Sequence, residues 1–401
     1  MKFLVITQDL RVSGTSAGLG RRSFLAKLRR IYPNADIDVF YLSHFSSNDD
    51  LELLPVNSIT RKIIDIKRPL YVKWINRFST RLFGILYAEN YIHKKYAEHI
   101  KSIDYEMYDH IFIWSSGLNH ETILATKDLP ILRRSIIVFH DPYPYPWYKG
   151  TSSKIHRNDF LRLKMMIKIA QQAKVCCATA NYMAKDLQYL YASNKYFYPL
   201  PHQFAPEAFD LNKRDNMRKK GAKLQISYHG ALMFGRNLIN VLEAYVALLK
   251  EYPMVKNDTE FVLRIKGDDV KKIKERYMVW DNIKILDFLD FSNSFNEQFY
   301  ESDINIVLEN GPYYANTLGG KVPFLASTGK PVFVVSPERS ELRLIITDTK
   351  YLADMNNVEE IKLKMGELIK ERLNTNDRLN QFGNYFTDGN FKILLENVLK
   401  A

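Results

Sequence analysis

The apolar and polar positions switch between two periods along the whole chain. Lys2–Thr7 is a mostly apolar run of strand length, the loop from Gln8 to Gly20 carries Gly14, Gly18 and Gly20, and Arg21–Arg30 has helical spacing before a second strand at Ile37–Leu42. Strand, glycine loop, helix, strand is the opening of a parallel, doubly wound unit. Runs at Ile111–Trp114, Ser135–His140 and Lys174–Ala178 add strands, and Asn181–Tyr191 adds a helix. Pro199–Lys223, with three prolines and the charge run NKRDNMRKK, reads as a linker. A second series follows: strand Leu224–Tyr228, helix Asn237–Tyr252, strand Glu260–Lys266, helix Val270–Met278, strand Ile283–Leu286, helix Ser292–Glu301, and strands Ile304–Leu308 and Val332–Val335. The pattern predicts an α/β protein of two doubly wound, Rossmann-like domains facing a central cleft. They span 1–200 and 201–385, and a helix in 386–401 is expected to pack back on the first.

Composition narrows the class. At 401 residues there is room for two cores, and 46% hydrophobic with 25% charged residues excludes a disordered chain. Cys176 and Cys177 are adjacent and cannot form an ordinary structural disulfide with each other, which suits a reducing cytoplasm. The start, MKFLVITQDL, reads as a strand rather than a signal peptide, and no run reaches the roughly 18–20 apolar residues of a membrane span. Charge is uneven. Residues 1–200 hold 29 Lys and Arg against 17 Asp and Glu, so all of the net +12 lies there, and the second half is neutral. The first half is expected to meet something anionic: a membrane surface, a phosphorylated lipid or a nucleic acid.

One segment of that half stands out. In PLYVKWINRFSTRLFGILY, from Pro69, Lys73, Arg77 and Arg81 recur at steps of four, as do Trp74, Phe78 and Leu82. A helix would carry a basic stripe beside an aromatic-apolar one. Two readings stand: a core helix with a solvated basic face, or a helix docked on an anionic membrane through Lys73, Trp74, Arg77, Phe78 and Arg81.

In the second half, NTLGGKVPFLASTGKPVFVV sets Lys321 beside Gly319 and Gly320, a short helix ahead of a buried strand. A lysine and bare amides at a helix start can hold a phosphate; a solvated lysine ahead of a plain turn is the alternative. A Walker loop is excluded, because Val322 and Pro331 follow the two Gly-Lys pairs where Ser or Thr is required.

Taken in order, these stretches resemble GT-B glycosyltransferases, in particular the large family-four group that uses nucleotide-sugar donors. ISYHGALMFGRNLINVLEAYVALL is similar to the family's strand, glycine turn and helix, LRIKGDDVKKIKE to its strand and Gly-Asp-Gly turn, and IKILDFLDFSNSFNEQFYESDINIVL to its base-binding loop and following strand. NTLGGKVPFLASTGKPVFVV resembles its Asn-Lys-x-x-Glu-Tyr-x-Ala-x-Gly-x-Pro-Val segment; VFHDP and KVCCATANYMAKDL match first-domain motifs, and Gly14, Gly18 and Gly20 its donor-side loop. The resemblance implies that the first domain is the acceptor side and the second binds the nucleotide-sugar. Lys321 and Arg236 would neutralise charge on the leaving diphosphate, with Gly18, Gly230, Gly319 and Gly320 letting backbone approach the donor. Gly267, Leu286 and Phe288 would border the nucleobase, and His140 would contact the donor sugar or acceptor. The aromatic loop PYPYPWYKG, with Tyr143, Tyr145 and Trp147, offers stacking faces for an acceptor or is a plain structural loop.

Departures accompany the match. The positions of the family's two glutamates, counted back from Pro331, hold Asn316 and Phe324, and its arginine after the first glycine is Ala231. Glu309 is the candidate replacement carboxylate. The adjacent acids Asp268 and Asp269 could suggest a metal, but they lie in the base-side loop and the family handles the diphosphate with basic groups, so no metal or other cofactor is expected. The function these readings imply is transfer of a sugar from a nucleotide-sugar to a lipid-linked or glycan acceptor in polysaccharide assembly, with retention. The protein would be cytoplasmic, either free or peripheral on the inner face of the membrane. A nucleotide-sugar epimerase and an inactive nucleotide-sugar-binding protein are the alternatives. A nucleic-acid partner is not expected, since no recognisable module accompanies the charge.

Overall fold

The computed structural model describes the chain except for residues 13–14, 48, 145–153, 192–193 and 268. Among the described residues, 1–209 together with Thr387–Ala401 form one compact unit and Asp210–Phe386 a second.

The first unit holds a seven-stranded, all-parallel sheet built from β1 (Lys2–Thr7), β2 (Asp36–Ser43), β3 (Ser58–Ile63), β4 (His110–Trp114), β5 (Ser135–Phe139), β6 (Val175–Ala178) and β7 (Phe197–Pro199), in the order β3-β2-β1-β4-β5-β6-β7. Its helices are α1 (Ser16–Ile31), α2 (Leu70–Phe83), α3 (Tyr87–Lys101), α4 (Glu121–Leu124), α5 (Arg157–Gln172) and α6 (Asn181–Leu190). The inner strands read as continuous apolar runs because helices cover both faces of a parallel sheet: Phe3–Thr7 and every residue of β5 and β6 are buried. The edge strand β3 differs. Its SITRKI is mostly exposed, and its charged side chains protect an unpaired edge.

The second unit repeats the plan. Strands β8 (Leu224–Ala231), β9 (Thr259–Lys266), β10 (Ile283–Leu286) and β11 (Ile304–Leu308), the short β12 (Tyr314–Ala315), then β13 (Val332–Ser336), β14 (Arg339–Ser340) and β15 (Leu352–Asp354) give a six-stranded sheet, β10-β9-β8-β11-β13-β15, and a small β12-β14 ladder. The helices are α7 (Leu238–Glu251), α8 (Pro253–Asp258), α9 (Val270–Tyr277), α10 (Phe291–Asn296), α11 (Val322–Ser327), α12 (Glu341–Ile345) and α13 (Val358–Asn374). The expected helix 292–301 widens at Glu297–Glu301 into a π turn. That turn carries the buried Glu297, whose carboxylate holds Arg264 at 2.6 Å and the Arg218 amide at 2.6 Å.

The segment read as a linker is in large part structure. Its charge run is tied to the second unit by Arg218 to Glu260 (2.6 Å), Lys219 to Glu301 (3.0 Å) and Lys220 to Asp303 (2.9 Å). The last helix, α14 (Asp388–Lys400), belongs to the first unit: Phe391 meets Phe24 edge-on, and Asp388 pairs with Lys27 at 3.0 Å and Arg30 at 2.6 Å. Burying Phe391, Leu395 and Val398 contributes about 1.5–3 kcal/mol each.

Candidate functional site

In an open parallel sheet, ligands gather outside the carboxyl ends of strands where the strand order reverses. In the second unit that point lies between β8 and β11, and three sequence candidates, Gly230, Arg236 and Lys321, meet there. Lys321 precedes α11. Its Nζ donates to the carbonyls of His229 (2.9 Å) and Ile306 (3.4 Å) and lies 4.3 Å above the Tyr228 ring. Arg236 donates from Nε to Asn310 Oδ1 and from Nη1 to the Ala231 carbonyl, both at 3.0 Å. Neither cation has a carboxylate partner among the described residues. Burial, and after it the positive Arg236, push the Lys321 ammonium well below the usual lysine range.

The backbone around them is shaped to deliver these groups. Phe234 (φ 54°) and Gly235 (φ 77°) are left-handed, and a Cβ on Gly235 would stand 2.8 Å from the Gly311 carbonyl. That strained turn aims Arg236 at Asn310. A Cβ on Gly230 would meet the Tyr228 hydroxyl at a tight 3.1 Å and Lys321 Nζ at an ordinary 3.7 Å, so the missing side chain makes room for the tyrosine that lies under the Lys321 amine. Gly319 has no such demand on it: its nearest neighbour would be the Val322 methyl at 3.6 Å. Gly320 adjoins Lys321 in the turn before α11.

Glu309, just past β11, is buried and accepts from the Leu342 amide at 3.4 Å, with no partner on Oε2 among the described residues. Burial raises its carboxyl to about 8, so at neutral pH it is mostly a neutral acid able to donate as well as accept. Asn316 is buried, and Phe324 is packed inward with its ring 5.3 Å from that of Phe295. Where the family resemblance implies a carboxylate at 324, this chain has core. At the neighbouring strand ends, Gly267 (φ 133°) would clash with the Leu232 carbonyl at 2.9 Å if it bore a Cβ. Leu286 ends β10, and Phe288 is 47% exposed with Lys266 Nζ 4.3 Å over its ring. Asp269 is described and pairs with Lys272; Asp268 lies outside the described residues, as do Gly14, Tyr145 and Trp147.

The first unit has its own cluster at the carboxyl ends of β1, β4 and β5. His140 follows β5 and is 3% exposed; its amide donates to Ser115 Oγ (2.8 Å), and Nε2 lies 3.1 Å from Ser16 Oγ. Burial first, then His202 and Arg21, hold its pKa well below the usual histidine range, so the ring is neutral. Arg21 is fully buried, stacked 3.6 Å over Trp114, and its Nη2 donates to the Ser115 carbonyl at 2.8 Å. The His202 ring centre is 4.5 Å from that of His140, an approach that Gly20 allows, since a Cβ there would stand 3.0 Å from His202 Nδ1. Gly18 is required for a different reason: a Cβ would come within 2.2 Å of the Arg11 carbonyl. Tyr143 is 5% exposed and packs against His120, so its ring is committed to the interior.

Sequence reasoning passed over Arg21, Ser16, His202, Tyr228 and Asn310. Arg21 did leave a signal. It falls in register with Phe24, Leu25 and Leu28 on the buried face of α1, where a charged residue needs a reason.

No family model matches this sequence, and no curated protein matches it. Solved structures do share the fold. The trehalose-6-phosphate synthase OtsA superposes with a TM-score of 0.62 at 11% identity, covering 99% of this chain and 98% of its own. The lipopolysaccharide outer core galactosyltransferase WaaB gives 0.61 at 10%, covering 100% and 99%. The UDP-GlcNAc 2-epimerase from Neisseria meningitidis, bound to UDP-GlcNAc, gives 0.53 at 13%, covering 100% of both chains. The protein therefore has the GT-B architecture that its sequence led us to expect. A shared fold does not fix an activity.

Proposed function

We propose that this protein is a glycosyltransferase that moves a sugar from a nucleotide-sugar donor to a lipid-linked or glycan acceptor at a membrane face, in the assembly of a surface polysaccharide. The observation that carries the reading is the pair Lys321 and Arg236: two basic side chains without carboxylate partners among the described residues, set at the strand ends where this fold places ligands. A diphosphate supplies the missing charge. As the bond from the anomeric carbon to the diphosphate oxygen breaks, these two groups stabilise the departing anion. The acceptor oxygen bonds to the same carbon and its proton passes to the departing diphosphate oxygen, on the donor's leaving face if the configuration is retained. The chain needs no metal for this, and neutral His140 contacts the sugar or acceptor. Phe288 and Leu286 border the base, and Glu309 and Asn316 line the donor side. The protein works in the cytoplasm, at the inner face of the membrane.

The test is thermal unfolding with UDP, GDP, ADP, dTDP and CMP. A ligand at about 100 times its dissociation constant adds about 2.7 kcal/mol to stability, so one nucleotide is expected to raise the midpoint clearly. If none does, the donor site is lost and an inactive relative is the better account. The fold shared with the epimerase keeps a second reading in view. Incubation with donor alone separates the two: an epimerase alters the sugar without an acceptor, and a transferase does not.

A further inference from the structure

On a protein surface, an apolar helix face turned to water needs an occupant. Helix α2 has such a face. Leu70 (74% exposed), Trp74 (62%), Phe78 (61%) and Leu82 (68%) form a stripe that points into solvent, and only Val72 and Ser79 of the whole helix are buried. The core-helix reading of this segment is thereby excluded. Lys73, Arg77 and Arg81 run along one flank of the stripe, α2 contains no acidic residue, and none of the three makes an ion pair among the described residues. No helix of the described residues is long and apolar enough to cross a membrane.

A second feature adjoins the carboxyl end of this helix. A pocket of about 250 Å³ opens beside Gly84 and Ile85, lined among others by Leu161 and by Lys127, Lys164 and Lys168. Lys164 and Lys168 are one turn apart on α5, and no carboxylate pairs with any of the three lysines among the described residues. Apolar side chains and three unpaired ammonium groups lining one pocket, next in sequence to an exposed apolar stripe, match the two chemistries of a phospholipid: acyl chain and phosphate.

We propose that α2 lies in the plane of an anionic bilayer, its Leu70–Leu82 stripe among the acyl chains and Lys73, Arg77 and Arg81 at the headgroups, and that the adjoining lysine pocket receives the phosphate of one anionic lipid. The inference rests on the membrane part of the function proposed above and is independent of sugar transfer. Because vesicle binding requires no nucleotide, failure here leaves the nucleotide test untouched, and the reverse.

The experiment is co-sedimentation of the full chain with vesicles of phosphatidylcholine alone and of phosphatidylcholine with about one-third phosphatidylglycerol, with sedimentation velocity of the protein by itself. The parent protein should bind the anionic vesicles and leave the neutral ones mostly unbound, with binding weakened by salt. Near an anionic surface each basic residue is worth about a fivefold change in partitioning. The triple change Lys73→Gln, Arg77→Gln, Arg81→Gln should therefore cost roughly a hundredfold, and Lys164→Gln with Lys168→Gln more than tenfold. Trp74→Ser with Phe78→Ser should abolish binding while the unfolding midpoint holds, as expected for exposed positions. If that apolar pair fails to fold, the charge variants still decide. Equal binding to both vesicle types, no binding to either, or a parent dimer that Trp74→Ser and Phe78→Ser dissolve would overturn the proposal, the last by assigning the face to a second copy of the chain.

Discussion

Nη2 of Arg21 lies 3.4 Å from Nδ1 of His140. A guanidinium can only donate, so Nδ1 is the accepting nitrogen and the proton of the neutral ring sits on Nε2, facing Ser16 Oγ at 3.1 Å. Burial lowers Arg21 to about 9, which leaves it charged at neutral pH. Arg21 is thus a positioning residue for His140. In Arg21→Gln the tautomer should become mixed, which nitrogen-15 shifts of the His140 ring report directly. A ring that stays wholly Nε2-protonated in the variant would show that Arg21 does not set it.

Lys321→Ala and Arg236→Ala should each reduce donor turnover by about 10²–10³ if both groups meet charge on the leaving diphosphate, with the fold retained. Rates like those of the parent in both variants would remove these residues from the site.

Binding a nucleoside diphosphate should also raise the pKa of Lys321, taking up a proton at any pH where the unbound amine is neutral. The Lys321 ammonium is depressed by burial and by Arg236, and an arriving anion reverses that shift. Calorimetry of binding in two buffers of different ionisation enthalpy measures the uptake, which should disappear in Lys321→Met. Identical heats in both buffers at every pH up to the ordinary lysine range would contradict a depressed Lys321.

Glu309 predicts a slope of stability with pH. Its carboxyl is raised by burial from 4.5 to about 8. Between those values the unfolded chain has released the proton and the folded one keeps it. Stability from this group is therefore complete below about 4.5 and is lost as pH rises towards about 8, at about 1.4 kcal/mol per pH unit. Glu309→Gln should flatten the profile and be the more stable protein near pH 8. Equal slopes for parent and variant in urea unfolding would rule out a buried neutral acid.

On the acid side the sign is opposite. Burial holds His120 and His93 at about 4, and burial followed by Arg21 holds His202 at about 3. Below 6.5 the unfolded chain takes up protons that the fold refuses, so stability falls as pH drops from about 6.5 towards 4, by several kcal/mol in sum. Urea unfolding at pH 7 and 5 in the Glu309→Gln background isolates the effect, and equal midpoints at the two values would count against it.

The alternating α/β plan was legible because buried parallel strands must be apolar throughout: β1, β10 and β11 lie where the pattern put them. The strands it missed were β3, whose charges guard an edge, and the two- and three-residue β7, β12, β14 and β15, too short to show a period. In the site, Lys321 and Arg236 could be picked out beside their glycines. Glu297 could not, because its partners Arg264 and His229 are brought to it only by the fold across 33 and 68 positions of chain. Phe324 read as a lost carboxylate, while the structure gives it a packing role against Phe295.

Because α14 completes the first unit, that unit is assembled from both ends of the sequence, whereas Asp210–Phe386 is one uninterrupted stretch. During synthesis the central unit can therefore finish while the first is still waiting for its last helix. Until then the Phe24 side of α1 stays open to water, with the Lys27 ammonium beside it lacking Asp388. Connectivity thus allows the middle of the chain to complete its unit before the beginning can complete its own.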